Sequence, residues 1–350
     1  MNRRLAILGG LAYLGWRVAR AHRTIDLAGK VVLVTGGSRG LGLLLAREFA
    51  RHGANVVICA RDRKELDRAR ADLASRGARA LAISCDVTDQ EQVTSMVERV
   101  ERELGPVDVL VNNAGIIQVG PLSTMTLDDF RRSMDVNFWG ALYTTLAVLP
   151  RMRARGAGRI VNITSIGSKI AIPHLIPYDC AKFAMRGLSE GLRAELARDG
   201  VVVTTIVPGL MRTGSPVNAL FKGQHAKEFA WFSLGDALPL TAMDARRAAR
   251  RIVLATRRGE AEVTLTIQAR LAGLVHDLFP GATADALGLV NRLLPDAGEG
   301  GTESRRGMEL ATPVSPSPLT TLLNRAARRY NQFGGEVAPA PRHARQIGLR

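Results

Sequence analysis

The sequence predicts an α/β fold: a doubly wound parallel sheet of about seven strands with helices on both faces, followed by a helical C-terminal extension. Three observations carry that prediction. Short β-branched runs alternate with amphipathic helical stretches from Leu27 onward, and strict alternation of this kind builds parallel sheets. Glycines stand where the helical stretches end, as at helix C-termini. A chain of 350 residues, 46% of them hydrophobic, is long enough for one large core or two ordinary domains.

The elements follow in order. "KVVLVTGG" reads as a buried strand, and "LGLLLAREFARHG" as a helix closing on Gly53. "NVVICAR", "RKELDRARADLASRG", "ALAISCDVT" and "QEQVTSMVERVERELG" repeat the strand–helix pair twice. "VDVLVNNAG" is a fourth strand, and a helical stretch covers about Leu127 to Arg155. Next come the strand "GRIVNITS", a helix holding Tyr178 and Lys182, the strand "VVVTTIVPG" and a seventh strand, "EVTLTI", from Glu262 to Ile267. Ala269 to Pro295 is apolar and helix-like. Residues 297–350 are rich in Gly, Pro, Ser, Thr and Arg and read as a flexible tail, interrupted by a short amphipathic helix near Leu319 to Tyr330. No internal repeat is visible.

The formal net charge is +16, which first suggests nucleic acid. The basic residues are scattered, however, and aromatics are only 5%, so no nucleic-acid platform forms. Cys59, Cys85 and Cys180 lie in no CxxC; neither a disulfide framework nor a metal site is expected, and a reducing compartment is the simpler reading. "LAILGGLAYLGW" (Leu5 to Trp16) is flanked by arginines. As a helix it reaches roughly 18 Å, short of a hydrocarbon core of about 30 Å. Two readings stand side by side: an interfacial membrane anchor, or a hydrophobic helix packed on the protein or a partner.

"TGGSRGLG" (Thr35 to Gly42) joins the first strand to the first helix. Gly36, Gly40 and Gly42 let the backbone turn tightly and approach a pyrophosphate, which a helix N-terminus attracts. The spacing is GxxxGxG. The second strand ends in "CARDR", where an NAD site usually has a carboxylate; Arg61 with Arg39 fits a clamp for a 2′-phosphate, which points to NADP(H) over NAD(H). Asp86 suits either the adenine amino group or a helix cap with Thr88. "NNAG" (Asn112 to Gly115) ends the fourth strand at the carboxyl edge, where ligands bind in open α/β sheets. Tyr178 and Lys182, four residues apart, share a helix face; alone they are a proton donor with its activator or an ordinary surface pair.

TGGSRGLG, NNAG, Asn137, Ser165, YDCAK and PG, in this order and spacing, closely resemble the short-chain dehydrogenase/reductases. The resemblance covers about Leu27 to Ile267 and implies a Rossmann-like fold with a catalytic tetrad. Tyr178 would be the general acid/base, and Lys182 would favour its phenolate and hold the nicotinamide ribose. Ser165 would orient the substrate oxygen, and Asn137 would hold a relay water. Pro208, Gly209 and Thr213 would embrace the nicotinamide. Thr35, Gly36, Ser38, Arg39, Gly40, Leu41, Gly42, Arg61, Asp86, Val87, Asn113, Ala114 and Gly115, with Tyr178 and Lys182, would complete the cofactor site. The family more usually has YxASK; here Asp179 and Cys180 follow the tyrosine.

Four segments result: the apolar 1–23, a dinucleotide-binding catalytic domain over 24–268, an apolar helical extension over 269–296 and the polar tail 297–350. Met211 to Leu240 should form a substrate lid, in which Phe221, Phe229, Trp231 and Phe232 either line a lipophilic pocket or pack the lid itself. The expectation is an NADP(H)-dependent oxidoreductase for a small lipophilic alcohol or ketone, a homodimer or homotetramer, cytoplasmic or held at the cytoplasmic face of the membrane by residues 1–23. No nucleic acid and no metal is expected. The competing reading is a cofactor-binding scaffold or sensor without turnover, for which the complete tetrad would be unnecessary.

Overall fold

The five residues Val31–Thr35 (β1) are all buried, because strands flank this one on both sides. The computed structural model of the protein describes residues 24–238, 242–310 and 320–333; the expected anchor over 1–23 lies outside them. β1 is joined by β2 (Asn55–Ala60), β3 (Ala80–Ser84), β4 (Val109–Asn112), β5 (Gly158–Ile163), β6 (Val201–Val207) and β7 (Glu262–Thr264). The sheet runs β7-β6-β5-β4-β1-β2-β3, every pair parallel.

Alternation along the strands builds two cores. Val32, Val34, Val56, Ile58, Val109 and Val111 face one side; Val31, Leu33, Val57, Cys59 and Leu110 face the other. The first face is covered by α1 (Gly40–Arg51), α2 (Arg63–Ala74) and α8 (Ala245–Arg258). The second is covered by α3 (Gln90–Leu104), α5 (Gly140–Arg155) and α6 (Ile176–Glu195). The strand order reverses between β1 and β4, so a crevice opens at their carboxyl ends.

A buried hydrogen-bond chain crosses the second half of the sheet. The Asn112 amide donates to Asn162 Oδ1 (2.9 Å) and Thr145 Oγ1 (3.1 Å), and Thr144 donates back to Asn112 (2.7 Å). Asn162 donates to Ser189 (3.0 Å), whose hydroxyl lies 2.7 Å from that of Thr205. The chain links β4, β5, β6, α5 and α6, and all six side chains are buried.

The stretch 127–155 is helical throughout, with α4 (Leu127–Met134) and α5 joined by a π-helical turn, Asp135–Trp139. Two expectations need correction. The strand from Glu262 stops at Thr264, because Thr266 caps the next helix by accepting from the Ala269 amide (3.2 Å). The flexible tail does not begin at 297. Arg305–Arg306 pairs with Leu220–Phe221, which pairs in turn with Gln118–Val119, and a helix forms over Thr321–Arg329 (α11) where its amphipathic pattern predicts one. The lid helix α7 (His225–Ala237) packs against α11, and the apolar pair α9 (Ile267–Leu278) and α10 (Pro280–Asn291) follows β7. No helix among the described residues is long and apolar enough to cross a membrane.

Asn162→Ala would cut the chain at its middle, although the Asn112 amide keeps Thr145 and the Ser189 hydroxyl keeps Thr205. Two buried hydrogen bonds are lost, at about 0.5–1.5 kcal/mol each, so the variant should lose roughly 1–3 kcal/mol of stability in urea unfolding.

Candidate active site

The glycine turn is held against "NNAG" by close backbone approach. Thr35 Oγ1 accepts from the Asn113 and Ala114 amides (both 3.0 Å), and the Asn113 side chain donates to the Thr35 carbonyl (3.0 Å) and the Gly36 carbonyl (3.3 Å). A Cβ on Gly36, whose φ is +62°, would stand 2.9 Å from Ala114 Cα, and one on Gly42 would collide with the Gly36 carbonyl. These positions therefore admit glycine alone. α1 begins at Gly40 with no side-chain cap and no acidic residue in its first turn, so side chains leave its partial positive charge uncompensated. Leu41 is buried on the same turn.

Other sequence-predicted cofactor residues are differently engaged. The Ser38 hydroxyl donates to Glu65 (2.9 Å) and Arg39 pairs with the same carboxylate (2.6 Å). Arg61, its side chain 58% exposed, stands 3.8 Å from Asp86. Thus Arg39 and Arg61 each have their own carboxylate. Asp86 accepts from the Thr88 amide and hydroxyl (3.0 and 2.9 Å), while α3 is capped by Asp89, which accepts from the Glu91 and Gln92 amides (3.0 Å each). Val87 is buried against Gly140. The Pro208 carbonyl accepts from the Ile166 amide (2.7 Å), and a Cβ on Gly209 would collide with Thr266 Oγ1. Thr213 is buried, with its hydroxyl accepting from the Ser215 amide (3.2 Å).

Asn137, Ser165, Tyr178 and Lys182 gather at the carboxyl edge of β4 and β5. Asn137 is fully buried within the π-helical turn; its amide donates to the Ile116 (3.1 Å) and Ser133 (3.0 Å) carbonyls. Its Oδ1 has no partner among the described residues. A Cβ on Gly115 would lie 2.6 Å from that oxygen and 3.6 Å from Lys182 Nζ, so the lone acceptor and the lysine nitrogen both face the same side of Gly115. Lys182 donates to the Ile163 carbonyl (3.0 Å) and sits 5.6 Å from the Tyr178 ring centre. Burial pulls its pKa down to about 8. Ser165 Oγ accepts from the Gly167 amide (3.1 Å).

Tyr178 is only partly exposed. Burial pushes its phenol far above the ordinary range; a hydrogen bond with Ser165 works downward, and the Asp179 and Asp236 charges push further up. Asp179 is itself raised to about 8 by burial, although it accepts from the Ile172 amide (2.6 Å). Asp236 is raised to about 7 by burial, opposed by hydrogen bonds from Ser215 and the Met211 backbone. The hydroxyl is thus held protonated, and the lowering influence comes from Ser165 rather than Lys182.

Sequence reasoning missed four features. Glu65 is one; its signal was the D-x-x-E pattern of Asp62–Glu65, in which the Glu65 amide bonds Asp62 (2.9 Å). Asp236 gave no signal. Gly167 must be glycine, because a Cβ there would collide with Asp179 Oδ1. The last is a buried cluster: Glu228 lies 2.9 Å from His174 Nδ1 and accepts from Trp231 Nε1 (2.7 Å), which ties α7 to the segment before Tyr178. The lid aromatics Phe221, Phe229 and Phe232 are buried against one another and Val119, Leu175 and Ala219; they pack the lid.

A family model described as short chain dehydrogenase matches residues 30–220. The chain belongs to the short-chain dehydrogenase family. It is 39% identical to a gluconate 5-dehydrogenase from Gluconobacter oxydans over 188 residues, 54% of this chain and 73% of the relative. A dehydrogenase/reductase SDR family protein 7-like from Drosophila melanogaster is 33% identical over 260 residues, 73% of this chain and 78% of the relative. A short-chain dehydrogenase structure from Streptomyces avermitilis superposes with a TM-score of 0.64 at 33% identity, covering 75% of this chain and 98% of the other. A gluconate 5-dehydrogenase from Burkholderia cenocepacia, solved with NADP and tartrate, gives 0.61 at 30% identity, covering 70% and 96%. The Rossmann-like sheet of seven parallel strands matches the architecture of the short-chain dehydrogenase structures.

The Asp179 carboxyl makes a prediction about pH. Between about pH 4 and pH 8 it is protonated when folded and ionised when unfolded, so stability should fall as pH rises through that window. Asp179→Asn removes the penalty. Its stability relative to wild type should grow from pH 5 to pH 8, by up to ~1.4 kcal/mol per pH unit, in melting curves taken across that range.

Proposed function

We propose that this short-chain dehydrogenase interconverts a carbonyl and a secondary alcohol with NADP(H), preferred over NAD(H), and that Tyr178 is its general acid/base. The observation that carries the reading is the convergence of Ser165, Tyr178, Lys182 and the unpartnered Asn137 Oδ1 on one edge of the sheet. The glycine turn, closed to any side chain at Gly36 and Gly42, fits the backbone approach a pyrophosphate requires.

A nicotinamide cofactor, when held by the glycine turn, Lys182 and the Pro208–Gly209 turn, would supply or take the hydride. In the reductive direction the Tyr178 hydroxyl, held protonated by burial, donates to the carbonyl oxygen, and Ser165 donates a second hydrogen bond that stabilises charge growing there. Lys182, with its pKa drawn to about 8, exchanges protons near neutrality and passes one to Tyr178 on the side of Gly115 it shares with Asn137. Arg61 stands exposed at the end of β2 where NAD sites have a carboxylate, and it carries the NADP preference, with Arg39 retained by Glu65. Substrate apolarity rests on the half-buried Ile117, Ile172 and Trp231 at the margin of the lid core. The amide of Ile172 bonds Asp179, the residue that follows the tyrosine.

Turnover of a ketone panel is followed at the nicotinamide absorbance. Tyr178→Phe should lower kcat by roughly 10²–10⁴-fold while dinucleotide binding persists; full activity would remove the mechanism. Arg61→Asp should weaken NADPH binding by about 10–100-fold and leave NADH nearly unchanged. Equal losses would remove the assignment of cofactor preference. Dinucleotide binding by the wild type with no turnover on any substrate would favour the scaffold reading.

A further inference from the structure

Residues 320–333 lie across the N-terminal end of α1. α11 docks on the lid through the buried Leu323 and Ala327, so tightly that a Cβ on Gly214 would overlap Ala327. Asn331 then takes the left-handed conformation (φ 59°) and the Gln332 amide donates back to the Ala327 carbonyl (2.9 Å). This is a Schellman cap with asparagine in the position glycine usually fills. It turns three consecutive residues into one seam.

Each of the three bonds a wall of the cleft. The Tyr330 carbonyl accepts from the Gly40 amide (2.8 Å). The Asn331 side chain donates to the Ser38 (2.8 Å) and Glu65 (3.1 Å) carbonyls and accepts from Arg68 (2.9 Å). Gln332, 3% exposed, donates to the Thr213 carbonyl (3.1 Å) and accepts from Asn218 at both its side-chain and backbone oxygens (2.9 and 2.8 Å). A Cβ on Gly40 would lie 2.7 Å from its amide nitrogen. The glycine turn and the loop after β6 are thereby bridged, at the passage where the dinucleotide reading puts a pyrophosphate.

We propose that Tyr330–Gln332 is a latch closing over the cofactor's pyrophosphate, so that cofactor leaves only when this segment lifts. The proposal rests on the dinucleotide-binding reading above. Two observations favour a latch over a plug that competes for the phosphate site. Residues 320–333 contain no acidic side chain and three arginines, Arg325, Arg328 and Arg329, so their charge attracts an anion rather than imitating one. The segment also takes only the Gly40 amide, leaving those of Leu41 and Gly42, which a first helical turn does not pair internally.

The test is release of NADPH from the full chain, measured by stopped-flow fluorescence with excess NADP⁺ as chase. Asn331→Ala/Gln332→Ala should speed release by roughly 10–100-fold, the loss expected of several hydrogen bonds. Asn218→Ala, which loosens the latch from the opposite wall, should do so more weakly. NADPH should also slow tryptic cleavage after Arg328 and Arg329 in the wild type and not in the double variant. Unchanged release in both variants overturns the latch, as does faster or tighter binding at unchanged release, which marks a plug. If the wild type binds neither NADPH nor NADH, the functional reading itself fails. If it binds and the variants release it normally, only the latch does.

Discussion

The geometry of the site depends on the buried chain from Thr144 and Asn112 through Asn162 and Ser189 to Thr205. Apolar side chains alone would fix the spacing of the sheet from its helices but not their registry, since hydrophobic burial has no direction. Hydrogen bonds between buried amides and hydroxyls do, and any slip leaves one unpaired. The elements they join are those that place Asn137, Ser165, Tyr178, Lys182 and Pro208. The π-helical turn adds a local device: it rotates Asn137 inward, where its amide is fully engaged and its oxygen left facing Lys182.

Electrostatics at the tyrosine reflects competition between burial and charge. Tyr178 and Lys182 are each pushed by burial towards their neutral forms, and Asp179 and Asp236 behave alike. Four ionisable groups therefore share a region that disfavours charge on all of them, so the proton inventory of the site depends on their mutual state. An approaching dinucleotide brings fixed charge into that region and would shift the whole set together. Ser165 is the uncharged member, and its hydroxyl influences Tyr178 without altering that balance.

Much of the fold was legible because its signals are local. Strand runs, helical periods and terminal glycines lie within a few residues of one another, and the spacing of Tyr178 and Lys182 is a single helical turn. The amphipathic pattern near Leu319 to Tyr330 likewise marked α11. What escaped was decided over distance. Glu65 engages Ser38 across 27 residues and draws Arg39 away from a free clamp across 26, and Gln332 reaches Thr213 across 119. The aromatic side chains of the lid were read as a pocket or as packing with equal warrant, because composition does not say which way a ring points. The π-helical turn was invisible for a related reason: an inserted residue changes the phase of a helix without changing its composition.

Gly167 and Asp179 carry a consequence for how this site could have diverged. The aspartate stands where it does only because residue 167 has no side chain, and its raised pKa follows from that confined position. The two positions are therefore epistatic. A lineage could replace the aspartate first and then add bulk at 167, but the opposite order passes through an intermediate with a steric clash beside its tyrosine. The order of substitutions, rather than their sum, would govern which active-site variants such a protein could reach.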